Sequence, residues 1–134
     1  PIIREVKNRI EPEMDTVIDS PPGNGALARE ALIGCDFCLM VTEPTPFGLK
    51  DLKGNQKLLD LLGIPGGVII NRAGGLYQGI EEWSSRHRIP ILGRIPFSRE
   101  TARQAARGST LGEIDNSRQR HLQTIWEEIE SLIG

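Results

Sequence analysis

The stretch Phe37-Cys38-Leu39-Met40-Val41 runs directly into Thr42-Glu43-Pro44-Thr45-Pro46. An unbroken apolar run stopped by prolines describes a short strand, buried on both faces, that ends in a rigid turn. The same shape recurs along the chain. Thr16-Val17-Ile18 ends at Asp19 and breaks at Ser20-Pro21-Pro22-Gly23, and Gly67-Val68-Ile69-Ile70 ends at Asn71-Arg72. Ile91-Leu92-Gly93-Arg94-Ile95 ends at Pro96-Phe97, with polar and glycine residues inside it. Short apolar runs separated by helix-length segments read as parallel strands. The expected fold is therefore α/β, a mostly parallel open sheet flanked by helices and wound on both faces.

Helical spacing fills the intervals. Ile3, Val6 and Ile10 repeat before the first strand, and Leu27, Ala28, Ala31 and Leu32 repeat after Gly25. Leu52, Leu58, Leu59 and Leu62 form a stripe that Gly63 closes as a C-cap, with Gly54 a weak point inside it. Ile80 and Trp83 mark a helix ending near His87, and Ser98 is the N-cap of a short helix that Gly108 stops. A terminal amphipathic helix is predicted over 116–133, with Leu122, Ile125, Trp126, Ile129, Leu132 and Ile133 on one side. Trp126 lies on that stripe and is expected in the core.

Composition sets the outer limits. The 134 residues fit one domain, and a chain of this size buries roughly two thirds of its unfolded surface. A net charge of −2 argues against a general polyanion-binding surface, so nucleic acid is not an expected partner. No apolar run approaches the ~20 residues that span a bilayer, so no membrane partner is expected either. Two cysteines make no disulfide framework, which points to a reducing, cytoplasmic setting. Proline, not methionine, stands at position 1, and the chain is read as processed or as a piece of something longer.

Ligands of open α/β sheets bind beyond the carboxyl ends of the strands. The unusual residues gather there: Asp19 to Gly23, Thr42 to Pro46, Asn71-Arg72 and Pro96-Phe97. An aspartate at a strand end suits hydrated Mg²⁺, which takes one or two carboxylates plus waters and phosphates. Gly23 lets a backbone N–H approach a phosphate oxygen, and Asn71 has the donor and acceptor that a base edge needs. Read alone, Asp19 serves as well as a turn cap, and Asn71 as an ordinary turn former.

Four segments occur in order and at close spacing: Asp15 to Gly23, Val41 to Gly48, Val68 to Arg72 and Ile89 to Phe97. Together, over about residues 15 to 107, they resemble the C-terminal half of MinD-superfamily P-loop ATPases. The likeness is strongest to the subgroup with an inserted ferredoxin-like iron–sulfur domain. ParA, Mrp-type cluster carriers, the nitrogenase iron protein and the cobyrinic acid a,c-diamide synthase family are more distant. The resemblance implies ATP as ligand, with Asp19 as the Mg²⁺-binding acid of the catalytic centre. It implies that Pro22 and Gly23 form the switch turn at the γ-phosphate. Asn71 would hold adenine with Arg72 beside it, and Pro96 and Phe97 would lie along the base. Thr45 and Pro46 would start a helix facing a partner subunit or cluster module.

The departures shape the expectation. No G-x-x-x-x-G-K-[S/T] loop is present, and the lysines between Gly48 and Gly54 have the wrong spacing for one. In the family the P-loop, its strand and any ferredoxin cysteines lie upstream of position 1. The chain thus resembles a partial P-loop fold lacking its phosphate-binding strand, and alone it is not expected to hydrolyse ATP at an enzyme-like rate. In the family that strand sits between the Asp19 strand and the Val41 strand. Without it the two should pair directly, leave a gap or borrow a strand, and the chain is expected to be oligomeric, marginally stable or rearranged. The partner is then another copy, an upstream P-loop half or a different protein. Alternatives are an amide synthase of the cobyrinic acid a,c-diamide type and a non-catalytic interaction module.

Three further features have ordinary readings. Cys35-x-x-Cys38 is half of a tetrahedral site and is read as structural, so any iron–sulfur cluster belongs to a parent domain. His87 and His121 are read as solvated. Arg99, Arg103 and Arg107 give one basic helical face, read as solvent-facing.

Overall fold

A computed structural model describes residues 2–110, 113 and 115–134. Three parallel strands form its sheet: β1 (Cys38–Thr42), β2 (Gly66–Ala73) and β3 (Ile91–Pro96), side by side in that order. Cys38 to Thr42 pair with Gly66 to Ile70 in step. Asn71 pairs with Ile95, and Ala73 with Pro96 after a register shift. The helices are α1 (Ile2–Lys7), α2 (Ala26–Leu32), α3 (Pro46–Leu62), α4 (Gly79–His87), α5 (Arg99–Ala106) and α6 (Asn116–Ile133). The fold is α/β with an open parallel sheet, as the apolar runs predict.

The continuous run in β2 is explained by what covers it. Val68 and Ile70 face one side, against Met40, Leu52 and Leu59 and the α4 residue Ile80. Ile69 faces the other, against Leu92 and the α6 residues Ile125 and Ile129. A strand covered on both faces has no position left for a polar residue. α6 buries Ile125 and Ile129, whereas Trp126 is 37% exposed and not in the core as its stripe suggests.

Local signals fix the helix ends. Thr45 accepts from the Gly48 N–H at 2.9 Å and Ser98 from the Thr101 N–H at 3.2 Å, satisfying orphan donors of α3 and α5. Gly63 ends α3 in the left-handed conformation at φ 68°. Lys7 anchors α1 to the end of α2, donating to the Ala31 carbonyl at 2.9 Å and to that of Ile33. α3 runs unbroken through Gly54. That glycine lets the Asn24 side chain come close, where an alanine Cβ would lie 2.5 Å from Nδ2.

One expected strand does not form. Residues 15–20 carry no regular secondary structure, and Val17 is 83% exposed. Ser20 to Asn24 stand across a cavity of about 950 Å³ from β1, so a gap separates the segment from the strand it would have to pair with. A strand needs a neighbour's hydrogen bonds to exist, and apolar β-branched residues cannot supply them alone. Among the described residues no strand pairs with the outer edge of β1, and Leu39 and Val41 are exposed on the α6 side of the sheet, beyond the part that α6 covers. No helix among the described residues is long and apolar enough to cross a membrane.

Candidate functional site

The carboxyl ends of β1, β2 and β3 lie on one rim because the strands are parallel and nearly in register. Glu43 follows β1, Asn71 and Arg72 fall near the end of β2, and Phe97 follows β3. The Asn71 Oδ1 accepts from the Arg72 N–H at 3.0 Å. Arg72 has φ 53°, the left-handed region that a residue with a Cβ enters at a cost. Its guanidinium Nε stands 3.5 Å from the Glu43 carboxylate, and its Cζ lies 6.0 Å from the centre of the Phe97 ring. Asn71, Arg72 and Phe97 are therefore brought together, with Pro96 closing β3 beside them.

The other predicted residues sit apart from this cluster. Asp19 is exposed in the irregular segment and makes no hydrogen bond or ion pair among the described residues. Pro22 and Gly23 follow in a bend, with Gly23 at φ 86°, so glycine is needed there for the backbone to turn. Both line the 950 Å³ cavity with Val41, Pro46 and Lys50. The switch-like turn thus faces the end of β1 and the start of α3. A second cavity of about 970 Å³, between α3 and α4, is lined by Gln56, Trp83 and Arg86 and by none of the rim residues.

Gly48 explains how α3 approaches the rim. A Cβ there would run into the Glu43 carbonyl and stand 2.8 Å from the Thr42 Oγ1. Only glycine lets the first turn of α3 sit against the end of β1, which fixes where Glu43 leaves the strand. Sequence reading passes over Glu43 as a site residue. What marks it is the register, which is not readable from the residues alone: Thr42 pairs with Ile70, so Glu43 is level with Asn71 and beside the Arg72 guanidinium.

The donor set can be tested against the groups that the resemblance implies. One free carboxylate at Asp19 fits Mg²⁺ that takes its other ligands from water and phosphate. No group of three or more His, Cys, Asp or Glu side chains gathers among the described residues. Cys35 and Cys38 supply two thiols and do not fit an iron–sulfur cluster, which takes four ligands. Burial pushes the Cys38 thiol up from its ordinary pKa, and the neighbouring Cys35 adds to that, so the thiol is kept protonated. Cys35 lies before β1, outside the strand. The His87 Nδ1–H donates to the Trp83 carbonyl at 2.8 Å, and its ring packs on the Trp83 indole.

No family model matches the chain. A stretch of 58 residues is 41% identical to an uncharacterized protein, MJ0579, of Methanocaldococcus jannaschii. That stretch is 43% of this chain and 22% of the relative, so the match spans about a fifth of the relative's length.

Proposed function

We propose that this chain is the nucleotide-binding C-terminal half of a P-loop ATPase of the MinD type, acting with polypeptide that supplies the phosphate cradle. The reading rests on one observation above the others: Asn71, Arg72 and Phe97 meet at the carboxyl ends of adjacent parallel strands. That rim is where open α/β sheets hold ligands. The Pro22-Gly23 bend across the cavity from β1 gives further support, because the space between them is where a phosphate-binding strand and loop would enter.

In this reading each residue has a physical task. Asn71 offers its amide N–H to a base nitrogen, since its oxygen is already engaged by the Arg72 N–H. Phe97 and Pro96 present an apolar wall to the ring. Gly23 brings a backbone N–H towards the terminal phosphate, and Asp19 holds Mg²⁺ through water. Phosphoryl transfer is mainly positioning and charge stabilisation. A chain with no lysine cradle therefore binds without turnover. In the intact protein, nucleotide state would drive partner switching or iron–sulfur handling, and the setting would be cytoplasmic.

The test is thermal melting with and without millimolar Mg-ATP. Wild type should melt higher with nucleotide, and Asp19→Ala should lose the magnesium-dependent part while Asn71→Ala loses all of it. No ATP hydrolysis is expected from the chain alone. A wild-type melt indifferent to Mg-ATP and to adenosine sinks the reading and leaves an interaction module as the better account.

A further inference from the structure

The Glu43–Arg72 pair has no evident structural purpose. Both side chains are largely exposed, at 48% and 61%, and such a pair adds little to folding. Yet Arg72 holds a backbone conformation that disfavours side chains, steadied by the Asn71 amide, and its guanidinium is aimed over a ring that is itself 57% exposed. Three strand ends thus converge on one guanidinium: an acid from β1, the arginine from β2 and an aromatic ring from β3.

We propose that Glu43 is a positioning residue that holds Arg72 over Phe97, so that the two close on opposite faces of a purine ring. This inference rests on the nucleotide reading above and names a residue that reading does not include. The dimensions suit it. A planar ring stacked on both sides needs about 6.8 Å, twice the ~3.4 Å stacking rise of bases. The guanidinium lies 6.0 Å from the ring centre, so a small outward swing of two exposed side chains admits the base. Stacking against a guanidinium on one side and an arene on the other is favourable for any base and stronger for a larger one. Glu43 carries the guanidinium's counter-charge at 3.5 Å and keeps its plane over Phe97 before the ligand arrives.

The experiment is an NMR titration of the full chain with adenosine, which needs no phosphate cradle. In wild type, adenosine should shift the amides of Asn71, Arg72 and Phe97, and the Arg72 Nε–H should show the ring current of Phe97. Glu43→Gln should melt at the wild-type temperature, lose the Nε–H ring-current shift and bind adenosine about threefold more weakly. Glu43→Asp should recover part of that loss, and the preference for adenosine over uridine should shrink in Glu43→Gln. If Glu43→Gln keeps both the wild-type affinity and the Nε–H shift, the positioning role is overturned while the base site stands. If wild type shows no rim shifts at tens of millimolar adenosine, the base site and the positioning role both fall.

Discussion

Gly48 and Gly54 both lie inside α3, and helix propensity alone gives alanine an advantage of about 1 kcal/mol at either. Their surroundings separate them. At Gly48 a Cβ meets the Glu43 carbonyl, a backbone atom that cannot move without dragging the end of β1. At Gly54 it meets the end of the Asn24 side chain, which can rotate away. Gly48→Ala should therefore destabilise by about 1–3 kcal/mol, as overpacking does. Gly54→Ala should be neutral or stabilising by up to about 1 kcal/mol. Urea midpoints moving in opposite directions would bear this out, and a common direction would mean that contact geometry is not what distinguishes them. Neither contact is legible in the sequence, because Glu43 lies across the turn and Asn24 across the cavity. The rim residues show the same division. Asn71 stands out as an amide after an apolar run, whereas Glu43 gains meaning only from the register that sets it level with Asn71.

At the scale of elements, the start of α6 carries a pH dependence. Asp115 accepts from the Ser117 N–H at 2.8 Å and from its hydroxyl at 2.8 Å. Those bonds, with smaller help from Arg118 and Arg120, hold its carboxyl below the ordinary aspartate value. A folded pKa below the unfolded one contributes stability that is complete above the unfolded value. It is lost as pH falls through the folded one. The first turn of α6 should accordingly loosen in acid, below the usual aspartate range. The Ser117 amide shift should follow that titration, and Asp115→Asn should leave it flat. A Ser117 shift that titrates identically in the variant would remove Asp115 as the cause. Local signals of this kind are readable from residues alone, as the Ser98 and Gly63 caps and the runs of β1, β2 and β3 show. The Thr16–Ile18 run has the same local character and forms no strand. Its hydrogen-bond partner is not local, and among the described residues no strand lies beside it to supply one.

At the scale of the whole molecule, the sheet is finished on one side and open on the other. One face is covered by α3 and α4 across β1 and β2, and the other by α6 only over β2 and β3. β1 therefore shows Leu39 and Val41 beside an edge that no strand among the described residues pairs, and it contains no proline, lysine or acidic residue to deter pairing. An apolar edge of that kind invites association with another chain. Under the nucleotide reading proposed above, this open edge is where a phosphate-binding strand from other polypeptide would enter. Wild type should accordingly self-associate as its concentration rises in sedimentation velocity. Val41→Lys should shift it towards monomer while changing stability by no more than about 0.5 kcal/mol, because Val41 is 62% exposed. Ile69→Ala, at a residue 4% exposed between β2 and α6, should instead cost about 2–5 kcal/mol and leave the edge untouched. Wild type that stays monomeric at every concentration would show that the free edge is closed by some contact within the chain. Association unaffected by Val41→Lys would move the adhesive surface elsewhere, with the apolar α1 residues Ile2 and Val6 next to be tested.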